Sequence, residues 1–159
     1  AHRDSTGHTS VMPRGGVQRM SAGRGVQHSE FNSSDTEPLR FLQIWIMPAS
    51  RGMEPSYQER AFADHEKQGR FRLIVSPDGE DESLRVHQDV SIYASILGAG
   101  EVVEHELAAG RYAWVQIVSG SLTVNGRELT AGDGAALSEE SQVRLEGVED
   151  VEFLFFDLA

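Results

Sequence analysis

An all-β chain that closes into a barrel or a sandwich is the fold class the sequence predicts, on three observations. Apolar residues alternate or run as β-branched clusters over short stretches, turn-forming residues interrupt those stretches repeatedly, and almost no window carries a helical period. With 159 residues, 39% of them hydrophobic, the chain is long enough to bury a real core.

Strands are expected, in order, at Val17 to Met20, Phe41 to Met47, Phe71 to Val75, Val90 to Leu97, Val102 to Leu107, Tyr112 to Val118, Leu122 to Val124, Val143 to Leu145 and Val151 to Phe156. The stretches "PRGG", "SPDGED", "LGAG", "AAGR", "VNGRE" and "TAGDG" punctuate them as turns. Asn125-Gly126, between "SLTV" and "REL", predicts a tight hairpin, because Asn-Gly accepts the positive φ angles of a type I′ turn. Only Tyr57 to Gln68, "YQERAFADHEKQ", has the composition of a short helix. "SPDGEDESL", Ser76 to Leu84, reads as a solvated loop linking two halves, residues 1–75 and 85–159. A faint repeat supports two copies of one unit: Gly7 leads to Pro13-Arg14-Gly15, and Gly126 leads over a shorter interval to Thr130-Ala131-Gly132.

The net charge of −11, from 14 basic and 25 acidic residues, repels phosphate backbones and anionic lipid surfaces, so no direct nucleic-acid partner is expected. No apolar run approaches the roughly 20 residues that span a bilayer, and "AHRDSTGH" lacks the apolar core of a signal peptide, so no membrane association is expected. The absence of cysteine rules out disulfides and thiolate metal sites. It leaves His and carboxylate as donors for any transition metal, and it fits a reducing cytoplasm.

One short stretch carries candidate chemistry. In "SAGRGVQHSEFN", Ser21 to Asn32, strand alternation points His28 and Glu30 to one face and Gln27, Ser29 and Phe31 to the other. An imidazole nitrogen beside a carboxylate oxygen can fill two adjacent positions of a non-haem iron, manganese, nickel or copper centre. Two polar residues on a solvated strand are the ordinary alternative. Gly23 and Gly25 would let the preceding backbone turn tightly and pass close to such a site.

Several of these motifs together resemble a family. Gly7, then Pro13-x-Gly15, is similar to the opening of the second conserved motif of cupin β-barrels, which continues to a metal-binding histidine three residues later. Here that position is Gln18. "MSAGRGVQHSEFN" followed by "LQIWIMP" resembles the pirin family, in which a His-x-Glu pair on the next strand supplies ligands. "LRVHQDVSIYASIL" and "FLFFDL" resemble bacterial pirins with flavonol-degrading activity. The resemblance covers essentially the whole chain. It implies a double-stranded β-helix bicupin with an N-terminally incomplete first barrel, because the upstream His-x-His pair usual in the family is not among these residues. The implied division is 1–75 for the metal-binding barrel, 76–84 for the linking turn and 85–159 for a second, metal-free barrel.

The implied activity is quercetin 2,3-dioxygenase, the oxidative ring cleavage of a flavonol-like small molecule. The implied cofactor is one mononuclear divalent metal, iron first, with manganese, nickel, cobalt or copper also accommodated. His28 and Glu30 are the implied metal ligands, and Glu30 is also a candidate general base. With two of four expected protein ligands, weak or substoichiometric metal binding and impaired turnover are expected of this chain. The alternative reading is a metal- or redox-responsive regulatory protein that docks a transcription factor or metabolic enzyme.

The remaining candidates read as structural. His2 and His8 flank the Ser5-Thr6-Gly7 turn and are expected on a hairpin outside the metal shell. His65 is expected in solvent. His87 and His105 are expected on strands, with His105 a satisfied, partly buried side chain. The thirteen-residue step from Gly15 to His28, repeated from Gly132, reaches Leu145, with Gly147 in place of a glutamate. Trp45 and Trp114 are expected in the core rather than as stacking platforms, and Met12, Met20 and Met47 as barrel filling. The "DGEDE" run lacks the ligand spacing of a calcium loop.

Overall fold

A computed structural model describes all 159 residues. Short strands dominate: β1 (His2–Asp4), β2 (Thr9–Ser10), β3 (Gly16–Ser21), β4 (His28–Glu30), β5 (Ser56–Ala61), β6 (Arg72–Ser76), β7 (Leu84–Arg85), β8 (Val90–Leu97), β9 (Val102–Glu106), β10 (Tyr112–Ser119), β11 (Ser121–Val124), β12 (Arg127–Thr130), β13 (Gly134–Leu137), β14 (Gln142–Gly147) and β15 (Val151–Leu158). One α-helical turn, α1 (Asp64–Lys67), and a 3₁₀ turn at Glu80–Glu82 interrupt them. The all-β class holds, in a cupin-type arrangement.

The second half is two facing sheets. One is six-stranded, in the order β13-β10-β15-β8-β6-β7, and the other four-stranded, β12-β11-β14-β9. Alternation along β15 shows how they close: Val151, Phe153 and Phe155 enter a 13-residue core with Leu97, Val115, Leu122, Val143 and Leu145. Each fully buried side chain of this size contributes roughly 1.5–3 kcal/mol from area removed from water. Phe156, on the opposite face of β15, joins a second cluster with Phe62, Ile74, Val75, Val90 and Ile92. The six-stranded sheet is therefore apolar on both faces, and it serves as the wall that the two halves share. The Asn125-Gly126 hairpin forms as expected between β11 and β12, with both residues at positive φ (46° and 81°).

The first half is more open. It comprises a three-stranded sheet, β2-β1-β4, and a two-stranded one, β3-β5. Arg72–Ser76, which the sequence division assigns to this half, is hydrogen-bonded antiparallel to β8 and parallel to β7 in the second half's sheet. Lys67 on α1 adds a polar tie, with Nζ 2.8 Å from Glu152 Oε1 on β15 and 3.2 Å from Asp64 Oδ1.

Four expectations need correction. Tyr57 to Gln68 is not one helix: Ser56–Ala61 runs as a strand against β3, from Gly16↔Ala61 to Ser21↔Ser56, and only Asp64–Lys67 turns helically. Six residues of ladder outweigh the helical preference of Gln, Glu, Arg and Ala. Phe41 to Met47 forms no strand, because no neighbouring strand takes up its backbone hydrogen bonds; Trp45 (87% exposed) and Met47 (82%) stand in solvent, and only Ile46 packs against the core. Trp114 is 38% exposed and lies over Gly134 rather than inside the barrel. With Trp45, Leu42, Ile44 and Phe156 it lines an open cleft of about 630 Å³. His87 sits in a bend between β7 and β8 rather than on a strand.

Candidate metal centre

The strand His28–Glu30 is built by its pairing with β1. The antiparallel register sets His2 opposite Glu30, Arg3 opposite Ser29 and Asp4 opposite His28, so His2, Asp4, His28 and Glu30 make a two-by-two patch on one face. His28 is exposed, while the Glu30 side chain is largely covered. The approach to β4 is set by Gly23, at φ +54°, where a Cβ would collide with the backbone of Met53 to Pro55.

His2 lies on the β1–β2 hairpin as expected, but at 1% exposed it is buried rather than on the surface. Its ring lies 5.8 Å from the His28 ring and nearly parallel to it, and 4.8 Å from that of Tyr57. His2 Nε2 is 3.1 Å from Asp4 Oδ2, and its buried Nδ1, without any hydrogen-bond partner, faces Glu30 Oε1 at 3.8 Å. Asp4 Oδ1 meanwhile accepts from Thr6 Oγ1 (2.6 Å), Thr6 N–H (2.9 Å) and His8 N–H (3.2 Å), closing the β1–β2 turn. The Thr6 hydroxyl, and then the His2 ring, hold the Asp4 carboxyl far below the usual carboxylate range. An ionised Asp4 can only accept, so His2 Nε2 carries the hydrogen, and Nδ1 presents a lone pair whenever the ring is neutral.

A second layer holds Glu30 from the side. Gln18, at the position of the usual cupin ligand, donates Nε2–H to Glu30 Oε1 and offers its Oε1 to the Tyr57 hydroxyl at 3.0 Å. Tyr57 Oη also stands 2.8 Å from Glu59 Oε2. Burial first, with Glu59 and Glu30 nearby, pushes the Tyr57 hydroxyl up to about 12, so it remains a donor at neutral pH. Hydrogen bonds from Ser10 and then Tyr57 hold Glu59 below its ordinary value. His8, half-buried, packs against Tyr57 with the ring centroids 3.9 Å apart and the planes tilted by 36°.

The donor set fits a divalent transition metal: imidazole nitrogens beside a carboxylate, with a buried ring nitrogen that nothing in the protein satisfies. As the side chains stand, no three His, Asp or Glu groups are already drawn around one point. The sequence singled out His28 and Glu30; the structure sets His2, Asp4 and Tyr57, which it did not single out, next to them. The available signal was the alternation of His2-x-Asp4, which parallels His28-x-Glu30.

The second half carries a different constellation. His105 Nε2 lies 2.9 Å from Asp157 Oδ2, so His105 is a satisfied, partly buried histidine as expected. Arg111 Nε donates to Asp157 Oδ1, and its Nη1 reaches Asp89 at 3.1 Å. The Asp157 hydrogen bond raises the Arg111 guanidinium further above its ordinary value. Leu145 and Gly147, which take the places of His28 and Glu30 by spacing, are fully buried in the core and pressed against Gly98 respectively. His65 is exposed, as expected.

Comparisons with known proteins agree with this architecture. A family profile described as the quercetinase C-terminal cupin domain matches residues 73–158, and one described as pirin matches residues 1–46. The quercetin 2,3-dioxygenase of Escherichia coli K12 is 43% identical over 157 residues, covering 99% of this chain and 67% of that protein. The crystal structure of YhhW from Escherichia coli superposes with a TM-score of 0.94 at 42% identity, covering 99% of this chain and 66% of that one. The structure of bacterial pirin YhhW in complex with nickel(II) gives a TM-score of 0.91 at 43% identity, with the same coverage. The chain thus spans about two thirds of the length of these relatives. No helix is long and apolar enough to cross a membrane.

Proposed function

The chain belongs to the pirin family, and on that premise we propose that it carries part of the metal centre of a quercetin 2,3-dioxygenase that opens the heterocycle of a flavonol-like molecule. The observation that carries this reading is the placement of His28 and Glu30 on one strand face beside the unsatisfied Nδ1 of His2. His28 and Glu30 would hold one divalent metal, iron first by the family resemblance, with nickel the one named for a relative; the donor set accepts either. When bound, it supplies Lewis acidity towards the flavonol oxygens and a route for electrons to dioxygen.

The protein's own groups do the rest. Gln18 fixes the rotamer of Glu30, and Glu30 accepts the proton of the flavonol hydroxyl at a carboxylate oxygen. The division that goes with this reading is 1–75 for the chemistry, 76–84 for the link and 85–159 for the metal-free barrel that backs it, with Arg72–Ser76 hydrogen-bonded into that barrel's sheet. The cysteine-free composition suits a cytoplasmic setting. Quercetin consumption under air tests the reading. In a form that also carries the upstream His-x-His strand, Glu30→Ala should lower turnover by about 10²- to 10⁴-fold, whereas retained turnover would remove Glu30 from the chemistry. The 159-residue chain alone should turn over weakly or not at all.

A regulatory role, in which metal state governs docking of a transcription factor or metabolic enzyme, is favoured by the charge of −11 and the exposed Phe41, Trp45 and Met47. It predicts no ring cleavage even when all four ligands are present.

A further inference from the structure

We propose that Tyr57 is a positioning residue for Glu30: its hydroxyl holds the Gln18 side-chain amide the way round that presents an N–H to the Glu30 carboxylate. The inference rests on the reading above, in which Glu30 is a ligand and a base, and it names what decides the aim of that carboxylate.

The ladder between β3 and β5 brings the two residues together. Its register sets Gln18 opposite Glu59 and Met20 opposite Tyr57, so Gln18 and Tyr57 are diagonal neighbours on the face from which Gln18 reaches Glu30. A primary amide has two ends of nearly the same shape and opposite hydrogen-bonding character, so its partners decide which end points where. The form of Glu30 that can bind a metal or take up a proton is the carboxylate, which only accepts. The end of Gln18 beside it must therefore be the NH₂. Gln18 Oε1 then points the other way and needs a donor, and Tyr57 Oη, 3.0 Å away, is the one hydrogen-bond partner it has. Turned over, the amide would set its oxygen against Glu30 Oε1 with no hydrogen between them, and the two would part.

The Tyr57 hydroxyl can fill this role because it keeps its hydrogen, burial above all pushing it up to about 12. Glu59 Oε2, at 2.8 Å, competes for that hydrogen. Glu59 has alternatives: the Ser10 hydroxyl also bonds it, and its side chain is 37% exposed to water. Gln18 Oε1, on a half-buried residue, has no second donor in the protein. The Tyr57 ring packs against those of His8 and His2, with centroids 3.9 and 4.8 Å away, which keeps the hydroxyl in place. The lock on Glu30 thus sits on β5, a strand that carries no proposed ligand.

Proton–nitrogen NMR of the metal-free 159-residue chain, with nickel(II) calorimetry beside it, tests this without reference to turnover. In wild type the Gln18 NH₂ should give one proton shifted downfield and slowed in exchange, identified by its disappearance in Gln18→Leu. Tyr57→Phe keeps the ring and removes only the hydroxyl. In it the shifted signal should collapse to that of a free amide, and nickel affinity should fall by about 10- to 100-fold. Glu59→Gln weakens the rival acceptor and should keep both the signal and the affinity. A Gln18 signal or a nickel affinity unchanged in Tyr57→Phe would overturn the proposal and leave the His28/Glu30 reading standing, as would a wild type whose Gln18 amide is already free. Loss of the signal in Glu59→Gln would also overturn it, since the effect would then belong to the network and not to the Tyr57 hydroxyl. Nickel affinity unchanged in His28→Ala, or a wild type that binds no nickel, would instead remove the ligand reading and the role of Tyr57 with it, while the Gln18 signal would still report the chain of hydrogen bonds.

Discussion

His2 in the first half and His105 in the second both sit on a sheet wall with Nε2 against a carboxylate, Asp4 in one case and Asp157 in the other. What surrounds them differs. The His105 ring is closed in by Phe155 at 4.6 Å, Tyr93 at 5.3 Å and Phe71 at 5.6 Å, and its carboxylate is shared with Arg111. The His2 ring meets His28, His8, Tyr57 and the Glu30 carboxylate, and keeps a bare nitrogen. One wall is filled with aromatic side chains and its polar groups are closed into ion pairs. The other is lined with polar groups whose mutual hydrogen bonds leave the ring nitrogens His2 Nδ1 and His8 Nε2 without a partner. A histidine with a carboxylate behind it is therefore not enough to mark a working site; the decision lies with whatever occupies the space in front of the ring.

The sharpest way to break this comparison is to empty the filled wall. Phe153→Ala, at a fully buried position of the 13-residue core, should cost about 3–5 kcal/mol in urea unfolding. A loss under about 1 kcal/mol would show that the second half is not the stability-bearing part. Next in size is Asp157→Ala, which strips the acceptor from both Arg111 and His105. Because the cluster is partly solvated, about 2 kcal/mol is expected, with nickel affinity unchanged.

The smallest effect concerns acid. Asp4 titrates lower in the folded chain than its ordinary 3.8, so its contribution is fully present above that value and is lost as pH falls through the folded pKa. Amide exchange of Thr6 and His8, whose N–H groups donate to Asp4, should therefore accelerate in acid relative to intrinsic rates, while Val143 and Phe153 stay protected. Equal loss of protection in both halves would mean that the hairpin has no separate acid response.

The second half was largely legible in sequence, although Gly134–Leu137, an edge strand of its six-stranded sheet, was not expected. Val90–Leu97 appears with the expected bounds, and Tyr112–Ser119 and Val151–Leu158 run one or two residues longer than expected. Its strands also pair with distant partners, Val90 with Leu158 and Gln142 with Glu106, but their apolar alternation is written into adjacent residues. The first half was read less well, because its short strands, such as His2–Asp4, His28–Glu30 and Ser56–Ala61, are mostly polar and carry little apolar alternation of their own. Ser56–Ala61 becomes a strand only because Gly16–Ser21 lies alongside it, and "QIWIMP" stays out of any ladder despite an apolar pattern as strong as those that pair. At the site, His28-x-Glu30 was visible from the period of two. The buried role of His2 was not, since it depends on a register across 28 residues that local pattern does not encode.

Arg72–Ser76, laced into the same sheet as Val90–Leu97 and Val151–Leu158, has one more consequence, for heredity. A recombination event that cut the gene in the acidic turn after Ser76 would leave the downstream piece with β8 unpaired along one edge and Ile74, Val75 and Phe62 missing from the cluster under Phe156. Exchange between relatives is tolerated best where the donated segment begins upstream of Phe62. The inheritable unit of this fold is therefore larger than its visible turn, and the two halves are bound to diversify together.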